Sequence, residues 1–292
     1  MSEIRVNNIT NRDGSTGTTV AGIPVVDSTS HFVVPTGRTG QRYVDGGENI
    51  VRDGLVLHLD AKYSYPSKTG ITTTTDSLDP DVYTWYDMSG NGNDGELING
   101  VSYSGTNGGS LVFDGSNDYI RGPAVLTKYS TGTIEAWIKT SNSATPGGHI
   151  YGESTPGDAT YWAHLRLDGG RLEFVVDDNS TVPEIRSTNT VNDDNWHQVV
   201  VTGSGNQSSD WLFYIDGQPE PRGSVQSGTA SVLSDYWFNT NTLDVYTIGV
   251  LERTSIGNIF GGNIAITRIY NKALTAAEVL QNYNALKGRF GL

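Results

Sequence analysis

From about residue 54 onward, apolar and polar residues alternate with a period of two. Leu55, Leu57 and Leu59 alternate with Val56, His58 and Asp60, and Ile134, Ala136 and Ile138 with Glu135, Trp137 and Lys139. Alternation sends successive side chains to opposite faces, so each run predicts a strand with one face in a core. Further strands are predicted at 196–202, 211–215 and 264–270. Asp216-Gly217 closes the second of these with the signal of a type I′ hairpin. Leu165-Arg166-Leu167, then Asp168-Gly169-Gly170, then residues 172–176 predict another hairpin. One stretch changes period. Val279, Leu280, Tyr283 and Leu286 repeat at helical spacing behind a capping box of Thr275 and Glu278, with Gly288 as the expected stop. The pattern is that of an all-β sandwich ending in one short helix.

Residues 1–48 read differently. Short β-capable pieces at 4–9, 18–26 and 31–34 are separated by Asn11-Arg12-Asp13-Gly14 and Asp27-Ser28-Thr29-Ser30. Their apolar side chains (Ile4, Val6, Ile9, Val20, Ile23, Val25, Phe32, Val33, Val34) are too few to bury one another. They predict an extended N-terminal arm that docks its strands on a partner, against the alternative of a floppy leader. Asp45-Gly46-Gly47-Glu48-Asn49 reads as a hinge, giving an arm at 1–48 and one sandwich domain at 49–292.

Composition supports this picture. The 36 glycines among 292 residues exceed the roughly 7% of an average chain and imply many tight turns. The net charge of -13 and the lack of a Lys/Arg cluster argue against nucleic acid and against anionic membrane surfaces. The absence of cysteine removes disulfides, thiolate metal sites and thiol catalysis, and favours assembly in a reducing cytoplasm. No basic segment precedes an apolar run at the start, so no secretory signal is expected.

The residues also resemble a family. Gly54-Leu55-Val56-Leu57-His58-Leu59-Asp60-Ala61 is similar to the opening strand of laminin-G-like, concanavalin A-type domains. So are Trp85 to Gly95, Val112 to Ile120, Gly132 to Ile138, Asn195 to Val200, Phe213 to Gly217 and the closing Gly262 to Glu278, in the family's order. The resemblance spans roughly 54–288 and implies a jelly-roll sandwich. The arm, with Ile4 to Gly14 and Ser30 to Gly37, resembles the leader of virion structural proteins from tailed phages of marine cyanobacteria. That resemblance implies a particle component made in the host cytoplasm: a head decoration, a fibre, or a tail or neck appendage. Its implied partners are other virion proteins, further copies of itself and host-surface glycans.

Catalytic chemistry is sparse. Sugar-cleaving members of the wider superfamily carry Glu-x-Asp-x-Glu on one strand, lining a cleft with acids. Here Glu135 stands alone, and Glu173 sits between Leu172 and Phe174. The five histidines show no metal spacing and the serines no nucleophile elbow. No catalytic residue is expected. Asp87, Asn91 and Asp94, in a glycine-punctuated loop, and Asp114 with Asp118 could hold calcium or make ordinary turns. Tyr161, Trp162, Tyr236 and Trp237 read as loop aromatics that could stack on a sugar or pack against neighbours. A calcium- or aromatic-dependent soluble lectin is the alternative to a virion role.

Overall fold

The computed structural model describes residues 49–64, 84–126, 129–145, 147–179, 182–205, 207–223 and 243–292, with the backbone of four short strands before them. The chain divides into two compact units, residues 1–48 and 49–292. In the first, β1 (Thr19–Val20) pairs with β2 (Ile23–Pro24), and β3 (Phe32–Val34) with β4 (Arg42–Val44), both antiparallel. Of the residues predicted to dock, Val20, Ile23, Phe32, Val33 and Val34 lie on these strands. Ile4, Val6, Ile9 and Val25 lie outside the described residues.

The second unit opens with β5 (Leu55–Asp60), β6 (Thr84–Trp85), β7 (Gly95–Ile98), β8 (Ser102–Ser104), β9 (Ser110–Asp114) and β10 (Tyr119–Pro123). Its long central strands are β11 (Gly132–Lys139), β12 (Gly147–Ser154), β13 (Tyr161–Asp168), β14 (Arg171–Asp178), β15 (Glu184–Thr190) and β16 (Trp196–Gly203). Then come β17 (Trp211–Ile215), β18 (Gln218–Glu220), β19 (Val245–Ile248), β20 (Leu251–Glu252), β21 (Ile256–Gly257) and β22 (Gly261–Tyr270). The helix α1 (Ala276–Phe290) ends the unit.

Two eight-stranded sheets result. Sheet I runs β15-β14-β13-β12-β19-β10-β7-β6, and sheet II runs β18-β17-β16-β11-β22-β9-β8 with β5 also on β22. The alternation read from the sequence explains their packing. Leu57, Leu59, Ile134, Ala136 and Ile138 of sheet II meet Leu165, Leu167, Leu172, Phe174 and Tyr246 of sheet I in one core. Leu55 departs from this pattern. A bulge opposite Ile269 and Tyr270 shifts the register, and Leu55 packs on the outer side instead. One pair of edges is joined: Gly223 N donates to Arg186 O at 2.7 Å, and Glu220 accepts the amides of Thr188 and Asn189. Asp216 and Gly217 both take positive φ, 52° and 74°, as a type I′ turn requires.

The helix covers the outer face of sheet II. Its capping box forms as expected, with Glu278 N donating to Thr275 Oγ and Thr275 N to Glu278 Oε2. Two expectations about it are corrected. Gly288 lies inside the helix, which runs to Phe290 and stops at Gly291 in the left-handed region. The last turn survives the roughly 1 kcal/mol a helical glycine costs because its side chains are anchored. Phe290 stacks 4.3 Å from Trp137, and Arg289 donates twice to the buried Asp60. Leu280 is exposed; the buried stripe is Val279, Asn282, Leu286 and Phe290. No described helix is long and apolar enough to cross a membrane.

Candidate functional site

With sheet II's outer face under α1, the outer face of sheet I is the one that displays chemistry. On β13, Ala163, Leu165 and Leu167 enter the core, so Trp162, His164, Arg166 and Asp168 point outward. On β14 the outward set is Arg171, Glu173, Val175 and Asp177, and on β15 it includes Glu184 and Arg186. The small β20–β21 hairpin folds over part of this face. Leu251 packs on Trp162 and Val175, Ser154 Oγ donates to Glu252 O, and Arg121 Nε lies 3.5 Å from Glu252 Oε2.

Five charged side chains form a row across three strands. The register puts Arg166 opposite Glu173 and Glu173 opposite Arg186. Arg166 Nε pairs with Glu173, Arg186 Nη2 reaches Glu173 at 2.5 Å and Asp168 at 2.6 Å, and Glu184 stands 3.5 Å from Arg186. Burial pushes Glu173 upward, but hydrogen bonds from Glu184 and Arg186 and the charge of Arg166 outweigh it, and its net shift is downward. Burial, then the hydrogen bond to Glu173 and that group's charge, push Glu184 up to about 7. The two acids are thus pushed apart, Glu173 toward its charged form and Glu184 toward its neutral one.

Beside this row lies a buried histidine pair. Gly152 makes room for it: a Cβ there would stand 2.5 Å from His164 Cβ and 2.7 Å from His149 Cε1. His149 Nε2 is 3.0 Å from Thr247 O, a group that only accepts, so Nε2 carries the hydrogen. His149 Nδ1 then accepts from His164 Nδ1 at 3.2 Å. That tautomer leaves His164 Nε2 a bare acceptor, and no donor reaches it among the described residues. Burial holds His149 down at about 3 and His164 well below the usual range, so both are neutral. His164 meets Trp162 edge to face, 4.8 Å between ring centres. The buried indole Nε1 of Trp162 also lacks a partner, and Arg253 lies over its ring, 5.2 Å from the centroid.

The sequence-predicted residues fall in several places. Tyr161 and Trp162 come together on β13, a strand and not a loop, and Trp162 is only 8% exposed. Tyr236 and Trp237 lie outside the described residues. Asp87 and Asp94 share one loop, where Asp94 Oδ1 accepts Asp87 N at 2.8 Å. Both oxygens of Asp87 accept donors of the chain itself: the amides of His58, Ser89 and Asn93 and the hydroxyl of Ser89. Asn91 Nδ2 donates to Ser89 Oγ and Val56 O. In a second loop, Asp114 accepts the amides of Ser116 and Asn117, and Asp118 accepts Asp114 N. These are turn-shaping bonds, and among the described residues no three acids or histidines converge as a metal cage. Sequence reasoning missed Arg166, Glu184, Arg186 and Arg253. A signal for the first was available, because the two-residue Gly169-Gly170 turn fixes Arg166 opposite Glu173.

Comparisons with known proteins agree with this architecture. The binding domain of botulinum neurotoxin DC, solved in complex with SialylT, superposes with a TM-score of 0.53 at 14% identity, covering 80% of this chain and 52% of that one. The same domain in complex with rat synaptotagmin II gives 0.55 at 15% identity, covering 81% and 52%. The chain thus spans about half the length of the neurotoxin domains it matches. Domain 4 of AbnA, a GH43 extracellular arabinanase from Geobacillus stearothermophilus in complex with arabinotriose, gives 0.55 at 18% identity, covering 78% of this chain and 98% of that one. No curated protein matches in sequence. Residues 114–280, from the end of β9 into α1, match the concanavalin A-like lectin/glucanases superfamily, and the chain belongs to that family.

Proposed function

We propose that the protein is a non-catalytic virion component that docks through residues 1–48 and displays its sandwich outward to bind host-surface glycans. The observation that carries this reading is a complete lectin-type sandwich, one outer face covered by α1 and the other left to display side chains, preceded by a separate small unit. The resemblance of residues 4–14 and 30–37 to phage attachment leaders supports the virion setting. The acids of sheet I support a binding role. Glycosidases keep two carboxyls free to act on the sugar, whereas Glu173 is already paired with Arg166 and Arg186. A second reading, a soluble carbohydrate-binding lectin, is favoured by the likeness to nearly the whole of an arabinanase domain solved with arabinotriose.

Deleting residues 1–48 tests both. Loss of incorporation into particles with unchanged binding on a glycan array is the expected outcome. Particles that still incorporate the shortened chain would overturn docking through residues 1–48, absence of the full chain from particles would favour the soluble lectin, and hydrolysis of any bound polysaccharide would sink the non-catalytic reading.

A further inference from the structure

The β20–β21 hairpin, which folds over part of the outer face of sheet I, is anchored on both sides to His149. Gly249 N donates to His149 O at 3.2 Å, and His149 N donates to Asn258 O at 2.7 Å. The segments entering and leaving the hairpin therefore both bond to the backbone of one residue of β12. Farther along, Gly157 N donates to Arg253 O, and Leu251 and the Arg253 guanidinium lie against Trp162.

The ring of His149 belongs to the buried pair. Its Nδ1 lies 3.2 Å from His164 Nδ1, a gap that holds one hydrogen, donated by one ring and accepted by the other. Two protonated rings would aim two N–H groups at each other. One protonated ring would be a cation with no exposed surface, and a buried charge without a counter-charge is costly. No carboxylate reaches either ring among the described residues. His149 Nε2 has only Thr247, 3.0 Å from its carbonyl oxygen and 3.3 Å from its hydroxyl. The charges around the pair oppose a proton, with Arg166 acting on both rings and Arg253 on His164. The acids of the surrounding strands are committed elsewhere. Glu153 of β12 accepts the hydroxyl of Tyr151 and the amides of Val125 and Leu126. Glu173 of β14 pairs with Arg166 and Arg186, while Asp168 of β13 and Glu184 of β15 lie against Arg186. Glu252 of β20 lies by Arg121 of β10, and Asp177 of β14 accepts Asn179 N. β19 and β21 bring no charged side chain.

We propose that the β20–β21 hairpin is an acid-released latch: protonation of the histidine pair parts His149 from His164 and frees both legs of the hairpin, uncovering Trp162. The device acts whatever this face binds. Burial holds both histidines below their ordinary 6.5 while the hairpin is closed, and in the open form they titrate near that value. The closed form is therefore fully favoured above 6.5, and each histidine makes opening about tenfold easier per pH unit below it.

Native-state hydrogen exchange on the full chain reads this opening. From about pH 7.5 to about pH 5, protection of the His149, Gly157, Gly249 and Arg253 amides should fall roughly thirtyfold for one histidine and roughly a thousandfold for both. Low urea should leave those amides unchanged while speeding the β11 and β16 amides, because a lifted hairpin exposes far less surface than an unfolded domain. His149→Gln, whose amide can donate to Thr247 O and accept from His164, should reduce the acid loss about thirtyfold. Protection that does not change between the two pH values overturns the latch. So does an acid loss with the same urea dependence in the hairpin and in sheet II, which would be unfolding of the whole domain. Should the variant fail to fold, the imidazole NMR signals of the wild type decide. A pair that takes up a proton above about pH 5 with the hairpin amides still protected also overturns the latch.

Discussion

Each sheet buries one glutamate completely on its outer face, Glu135 on sheet II and Glu173 on sheet I, and the two are stabilised in different ways. Glu135 lies under α1 as a single acid among donors: Gln198 Nε2 at 2.9 Å, Asn282 Nδ2 at 2.7 Å and Arg268 at 3.4 Å. Asn282 also accepts Val51 N, so the same network fastens both the helix and the segment leading into the domain. Glu173 has two arginines but also two further acids, Glu184 and Asp168, around the same guanidinium. Under α1 a single acid is ringed by donors, although Gln198 Oε1 in the same network has no partner among the described residues. Around Glu173 three acids meet two arginines, and the raised pKa of Glu184 makes up the difference. The first arrangement holds a helix in place, whereas the second changes charge near neutral pH.

The largest expected effect breaks the covered network. Glu135→Ala leaves the fully buried Arg268 without its carboxylate, and removing one partner of a buried pair costs about 3–5 kcal/mol. Glu173→Ala should cost less, about 1–3 kcal/mol, because Arg166 and Arg186 are partly exposed and Arg186 keeps Asp168 and Glu184. Denaturant unfolding of the two variants measures the contrast. Equal losses would show that burial of the acid alone, and not the donors around it, sets the cost.

The next effect turns on the raised pKa of Glu184. Glu184 has a folded value of about 7 against an ordinary 4.5. An acid raised on folding holds its proton more tightly in the native state, so its stabilising contribution is full below 4.5 and is lost as pH rises through about 7. Glu173, shifted downward, acts at lower pH, where its contribution is lost as pH falls. Between pH 5 and 8, wild-type stability should therefore fall by about 1–3 kcal/mol more than that of Glu184→Gln, which cannot ionise. Parallel curves for the two proteins would mean that Glu184 is not raised on folding.

This contrast also shows what the sequence made legible. The sandwich was readable because period-two alternation, Asp216-Gly217 and the Thr275–Glu278 capping box are local signals whose physics acts within a few residues. The two-residue turn at Gly169-Gly170 even set the register that joins Arg166 to Glu173. The rest depends on pairings between distant segments. Glu184 and Arg186 meet Glu173 only through the β14–β15 register, which has a bulge between Arg171 and Glu173. Asn282 reads as a polar interruption of an apolar stripe until Glu135 is seen beneath it. Trp162 reads as an exposed loop aromatic because the β20–β21 hairpin that covers it comes about 90 residues later.

The smallest effect calibrates both networks against a charge cluster at the rim. His197 sits between Asp216, at 2.8 Å from Nδ1, and Asp193, at 3.1 Å from Nε2. Burial alone would lower its pKa, but the hydrogen bonds and charges of Asp216 and Asp193 outweigh this and raise it above 6.5. A histidine raised on folding contributes stability fully below 6.5, and that contribution is lost as pH rises through its folded value. Asp193 is 57% exposed, so solvent screens much of the attraction and the contribution is held to about 0.5–1 kcal/mol. His197→Gln should accordingly be less stable than wild type by that amount at pH 5.5 and nearly equal to it at pH 9, measured by denaturant unfolding at both. A loss as large as that of Glu135→Ala would place the rim cluster in the same class as the buried networks, and the distinction between covered and open charge would no longer follow from burial.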